Sequence, residues 1–137
     1  MADWSGQVVV LPEVAAWMET LSRDGRARLG GVLEALEAIG PSLRQPKVDR
    51  IDGNPCNNHV TMFELKCQNP HLRVLFVFDP TRTAVLLYGG DKSEDAAWKK
   101  WYRPAIRAAC ATYAAYLAQH YPTHRASQKA PSRRPSR

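Results

Sequence analysis

No apolar run in this 137-residue chain approaches the roughly 18 residues that span a bilayer, so no transmembrane helix is expected. The opening residues, MADWSGQVVVLPEV, carry an acid where a secretory signal is basic, and their apolar stretch is short. No signal peptide is expected, and the chain reads as cytoplasmic. Cysteine is scarce: Cys56, Cys67 and Cys110 are odd in number and lack C-x-x-C spacing. That excludes a zinc framework and predicts ordinary reduced thiols with no disulfide. Phosphate loops, dinucleotide fingerprints and metal-binding helix motifs are all missing, so neither cofactor nor metal is expected. The length suits one domain.

Acidic residues are absent from the last stretch, residues 122–137, which carries Arg125, Lys129, Arg133, Arg134 and Arg137. Removing these five cations from the formal +6 leaves +1 for residues 1–121. The same stretch is rich in Pro and Ser and poor in large apolar side chains, so it cannot offset its own ordering entropy and is expected to be disordered. Polyanion binding by the preceding domain, residues 1–121, must therefore come from local clustering of charge. The basic tail itself has two readings, a solvated segment or an RNA contact working through counterion release.

What the chain does have is a hairpin signal, LRVLFVFDPTRTAVLLYGGDK, over residues 72–92. Alternation places Leu72, Val74, Phe76 and Phe78 on one face and Arg73, Leu75, Val77 and Asp79 on the other. Asp79 and Pro80 suit the first two positions of a type I turn. Ala84 to Tyr88 form the return strand, and Gly89-Gly90 are expected to let the backbone leave the sheet in conformations other residues resist. Pairing of the strands brings Arg73 and Lys92 toward one end of the sheet. Arg73 is either a solvated strand residue or a phosphate contact.

The remaining elements follow in a readable order. Gln7 to Leu11 is a short β-like run. Pro12 fits the first turn of a helix marked by Val14, Trp17, Met18 and Leu21. A break at Arg23-Asp24-Gly25 precedes a second helix carrying Leu29, Val32, Leu33, Leu36 and Ile39, which Gly40-Pro41 stops. After a link come Lys47 to Ile51 and Val60 to Cys67, so three consecutive antiparallel strands are expected. Asp95 is a plausible cap for a short segment holding Trp98, Trp101 and Tyr102. Pro104 then starts an alanine-rich helix with Ile106, Ala109, Cys110, Tyr113 and Leu117 on one face. The sum is an α+β domain: a small antiparallel sheet of three to four strands, an N-terminal helical hairpin and a C-terminal helix, all helices on one side.

The run FELK, then LRVLFVFDPTRTAVLLYGGDK, then WYRPAI and an A…Y helix, resembles the toxins of the RelE/ParE superfamily, most closely their HigB-like, phage-derived branch. The resemblance covers roughly residues 7–118. It implies a ribosome-dependent endoribonuclease that cuts mRNA in the decoding site. It also implies a cognate antitoxin partner, often one with a helix-turn-helix domain.

Cleaving RNA at its own 2′-OH requires that hydroxyl deprotonated, the 5′-oxygen protonated and the pentacoordinate phosphate stabilised, all of which positioned cations and acid–base groups can do. Arg73 offers a planar fork for two phosphate oxygens, and it matches the arginine of the family's strand motif. Lys92 matches the basic position after the last strand, suited to contact phosphate or protonate the leaving group. Lys66 and Glu64 share a strand face adjoining Arg73. Glu64 is the best carboxylate for a general base, with an ordinary cross-strand ion pair as the alternative. Arg82, Lys99 and Arg103, with Trp98 and Trp101, are the candidate RNA contacts, the indoles either stacking on bases or packing under the sheet edge. Arg107 extends the basic rim. His59, His71, His120 and His124 all lie outside the Gly90–Lys92 region where the superfamily's catalytic histidine is expected. Two further readings stay open: a gyrase-poisoning toxin of the ParE kind, and a non-catalytic phage-derived regulatory protein.

Overall fold

The computed structural model describes residues 4–53, 55–56, 60–67, 71–91 and 98–122, with the backbone alone at 98 and 99. Strand β1 (Val8–Val10) leads into helices α1 (Pro12–Glu19) and α2 (Arg23–Ile39) and a 3-10 turn at Gly40–Ser42. Strands β2 (Val48–Arg50), β3 (Met62–Cys67), β4 (Leu72–Phe78) and β5 (Ala84–Asp91) follow, and α3 (Trp98–His120) closes the domain. The α+β class and the order of elements are as expected, with no helix of the described residues long and apolar enough to cross a membrane.

The sheet has five strands in the order β1-β5-β4-β3-β2, one or two more than the pattern implied. The additional edge is β1, which pairs parallel to β5 with Val8 opposite Ala84. Strands β2 to β5 form the expected antiparallel meander. The helices lie on both sides of the sheet, which corrects the one-sided arrangement. Leu65, Val74, Phe76 and Leu86 pack against Val14, Leu29 and Leu36 from α1 and α2. Leu75, Val77, Val85 and Leu87 pack against Ala105, Ala109, Tyr113 and Leu117 from α3. A strand buried on both faces reads as a continuous apolar run, and LRVLFVF is nearly that, with only Arg73 interrupting it.

Local chemistry explains the boundaries. Ser22 caps α2, its hydroxyl accepting from the Gly25 amide at 3.0 Å, so Arg23-Asp24-Gly25 form the first turn of the helix and not the break before it. Residues 98–120 make one helix with Pro104 inside it, where two segments were expected. The hairpin turn is closed by Arg82 N–H to the Asp79 carbonyl at 2.8 Å and Asp79 N–H to the Thr83 carbonyl at 2.9 Å. Arg82 takes φ +66°, the left-handed position of a three-residue hairpin loop. The Asp79 side chain, 3% exposed, accepts from the amides of Thr81 and Thr83 and from the hydroxyls of Thr81, Tyr116 and Tyr121. Burial works to raise its pKa, but these donors outweigh burial and hold the carboxyl below the usual range.

Two further expectations are corrected. Cys56 and Cys110 form a disulfide, joining the β2–β3 connection to α3 across 54 residues, while Cys67 stays free and buried. Sequence spacing misses this pair because the sheet, and not local sequence, brings its halves together. Gly89 and Gly90 lie inside β5 and serve space, not backbone freedom. A Cβ on Gly89 would enter the Trp17 ring, and one on Gly90 would sit 2.6 Å from the Trp101 indole nitrogen. A register shift at Leu75/Phe76 turns Gly90 toward α3. The proposed cap Asp95, His59, His124 and tail residues 123–137 lie outside the described residues.

Candidate functional site

The middle of the α3 side of the sheet is apolar; the Asp79 network lies at the hairpin-turn end, and a second polar group lies at the other. There β2, β3 and β4 set Asp49, Glu64, Lys66 and Arg73 side by side, with Asp49 opposite Glu64 and Lys66 opposite Arg73. Three of the four sequence candidates for catalysis are thus brought together. The fourth, Lys92, lies outside the described residues; β5 ends with Asp91 opposite Leu72, one residue from Arg73.

Arg73 is neither a solvated strand residue nor an open phosphate contact, because α3 covers it. It is 5% exposed and Glu64 is 6% exposed. Arg73 Nε stands 3.4 Å from Glu64 Oε2, and its NH1 donates to the Leu72 carbonyl at 3.0 Å. Nε itself is buried without a hydrogen bond. A charge pair this buried is costly to desolvate, and each partner offsets that cost for the other. The Tyr102 hydroxyl, delivered by the first turns of α3, donates to Glu64 Oε2. Burial and the neighbouring carboxylate push this phenol well above its ordinary pKa, so it stays a proton donor throughout the physiological range.

Lys66 pairs with Asp49, which also accepts from the Gln45 amide. The Lys66 hydrogen bond lowers the Asp49 pKa against the opposing effect of burial. Lys66 is therefore tethered to β2. Asp49 and Tyr102 are the members that sequence reasoning missed. The alternation of the Val48–Arg50 run holds the signal for Asp49, and Tyr102 stands in the sequence only as part of the aromatic segment with Trp98 and Trp101.

Beside the cluster opens a cleft of about 610 Å³. Tyr102, Arg103, Ile106, Arg107 and Cys110 of α3 form one wall, and Pro55 and Cys56 form the other. Arg103 and Arg107 are exposed, and no acid occurs anywhere in α3. Trp101 packs against Gly90 and Tyr88 and meets Tyr102 edge-on at 5.1 Å, the packing alternative of its two readings. Trp98 and Lys99 begin the same helix, their side chains outside the described residues. Arg82 sits apart, at the opposite end of the β4–β5 hairpin, lining a second cleft of about 420 Å³ with Arg44, Phe63 and Phe78. His71 and His120 are exposed and outside the cluster. Among the described residues no group of His, Cys, Asp and Glu is placed to hold a metal.

A two-sided α+β sheet with a helical hairpin, a C-terminal helix and a cluster of paired charges at the end of its central strands has the architecture of a RelE/ParE-type toxin. Residues 16–114 match the family described as phage derived protein Gp49-like, and the chain belongs to it, within the HigB-like branch. A Mycobacterium tuberculosis H37Rv protein named "Putative toxin HigB3" is 42% identical over 95 residues, covering 69% of this chain and 79% of that protein. A second protein of that strain, named "Putative toxin HigB2", is 34% identical over 122 residues, covering 87% of this chain and 58% of that protein. No solved structure matches the chain.

Proposed function

We propose that this protein is the toxin of a type II toxin–antitoxin module and acts as a ribosome-dependent endoribonuclease on mRNA. The observation that carries the reading is the Glu64–Arg73–Tyr102 cluster beside a cleft that Tyr102 lines together with Arg103 and Arg107. Once the Tyr102 side chain has swung off the Arg73–Glu64 pair, Arg73 stabilises the charge of the pentacoordinate phosphate, and the displaced Tyr102 hydroxyl donates to one of its oxygens. Glu64 serves as the base once Tyr102 has moved aside, and Lys92 protonates the leaving oxygen. Lys66, balanced by Asp49, fixes the strand end. Arg103, Arg107 and Lys99 supply the backbone contacts, and Arg82 reaches the RNA only along a path to the far end of the hairpin. A cognate antitoxin with a helix-turn-helix domain keeps the toxin silent.

One observation favours a second reading. Both members of the Arg73–Glu64 pair are buried, and Lys66 is already neutralised, as suits a structural cluster. Under that reading the protein poisons gyrase with the same fold. Induced expression in bacteria separates the two. Growth arrest with mRNA cut inside translated frames, read by primer extension, is expected. Intact mRNA with induction of the DNA-damage response moves the assignment to gyrase.

A further inference from the structure

The proposed reaction leaves one reactive group of the α3 cleft unused, the Cys56–Cys110 bond. Both half-cystines line the cleft and are partly exposed. Cys67 is 3% exposed and packs in the core on the opposite face of the sheet, so it is no partner for exchange. Arg107 precedes Cys110 by one helical turn and Arg103 by two, and both line the same cleft. No carboxylate on α3 balances them, and Asp52 on the facing connection is exposed and does not line the cleft. A partly exposed cystine beside cations that have no carboxylate partner among the described residues is the setting in which a thiolate is stabilised and exchange is fast.

We propose that Cys56–Cys110 is a thiol–disulfide exchange site for small carboxylate-bearing thiols, with Arg103 and Arg107 as the recognition surface. The thiolate of the small molecule attacks Cys56 Sγ, and the S–S bond breaks. The electron pair leaves on Cys110 Sγ, where Arg107 stabilises it. A second thiol then attacks the mixed disulfide, releasing the oxidised dimer of the small thiol and the Cys56 thiolate. Two thiols supply the two electrons, and their protons end on the two cysteines. Reduction unties the β2–β3 connection from α3 and frees one wall of the cleft beside Tyr102. Ile51 and Val60, on either side of Cys56, remain packed on the α3 face, so the fold persists. None of this depends on the cleft accepting RNA.

The test compares 3-mercaptopropionate, an anion, with cysteamine, a cation, as reductants of the oxidised full chain. Each rate is divided by that for an unstructured model disulfide, which removes intrinsic nucleophilicity. At low salt the anionic thiol is expected to be favoured on the order of 10-fold. The preference should fall toward unity at about 1 M salt, where screening extends to only a few ångströms. Mass spectrometry of acid-quenched samples should place the mixed disulfide on Cys56. The Arg103→Gln/Arg107→Gln variant should lose the preference, and the salt dependence of the parental chain decides the matter if that variant fails to fold. A low-salt ratio at or below one, an adduct confined to Cys110, or a folded chain whose pair stays reduced under diamide would each overturn the proposal.

Discussion

At the scale of single residues, the burial of Arg73 governs how any experiment on it must be read. Arg73→Ala strands Glu64 in a buried site with Tyr102 as its remaining described partner, and losing one member of such a pair costs about 3–5 kcal/mol. A sequence-level view, with Arg73 facing RNA, predicts an intact fold; the structure predicts a marked drop in the urea midpoint. Arg73→Met with Glu64→Gln removes both charges together and should recover most of that loss. Loss of toxicity in Arg73→Ala alone therefore says nothing about chemistry. Arg73→Lys, which keeps the charge but not the fork, is the informative variant: a folded Lys variant that cuts programmed ribosomes at the parental rate would sink the phosphate-binding role.

At the scale of elements, the hairpin turn and the glycines of α2 and β5 carry separate predictions. Asp79 and Asp49 both have pKa values depressed below the ordinary 3.8. A carboxylate depressed in the folded state contributes stability that is present above its unfolded pKa and lost as pH falls through the folded one. Stability should therefore decline below about pH 4, and Asp79→Asn, followed by urea midpoints from about pH 6 to 2, should lower the plateau and flatten the acid limb. A limb as steep as the parent's would mean that Asp79 is not among the groups responsible. Gly31, exposed on α2 with open space around it, should accept Ala with a gain of roughly 0.5–1 kcal/mol. Gly90→Ala meets the Trp101 ring and should cost about 1–3 kcal/mol. Element identities were legible because periodicity encodes them: Leu72, Val74 and Phe76 face one way, and Ile106, Ala109, Tyr113 and Leu117 form one stripe. What covers each face was not legible. Nothing local to Arg73 says that α3 lies over it, and nothing within the Gly89-Gly90 pair says that two tryptophans, from two helices on opposite faces, press on it. Cys56 and Cys110 met the same limit, since tertiary pairings between distant segments leave no trace in local pattern.

At the scale of the whole molecule, charge and topology set behaviour. With five cations in residues 122–137, removing that stretch should leave the melting temperature nearly unchanged and weaken ribosome association in a salt-dependent way. A large fall in melting temperature would show instead that the stretch docks on the domain. The topology also constrains how the molecule comes into being. Val8 waits for Ala84 to complete the β1–β5 pair, and the buried carboxylate of Asp79 waits for the hydroxyls of Tyr116 and Tyr121. One whole side of the sheet thus stays bare until α3 has emerged from the ribosome that is making it. Until that moment Arg73 and Glu64 have no Tyr102 above them, and the nascent chain is open, sticky and incomplete. The α3 face of the sheet is therefore sealed only once residues 98–120 have been made, so the order of synthesis leaves the polar cluster as one of the last parts of the domain to close.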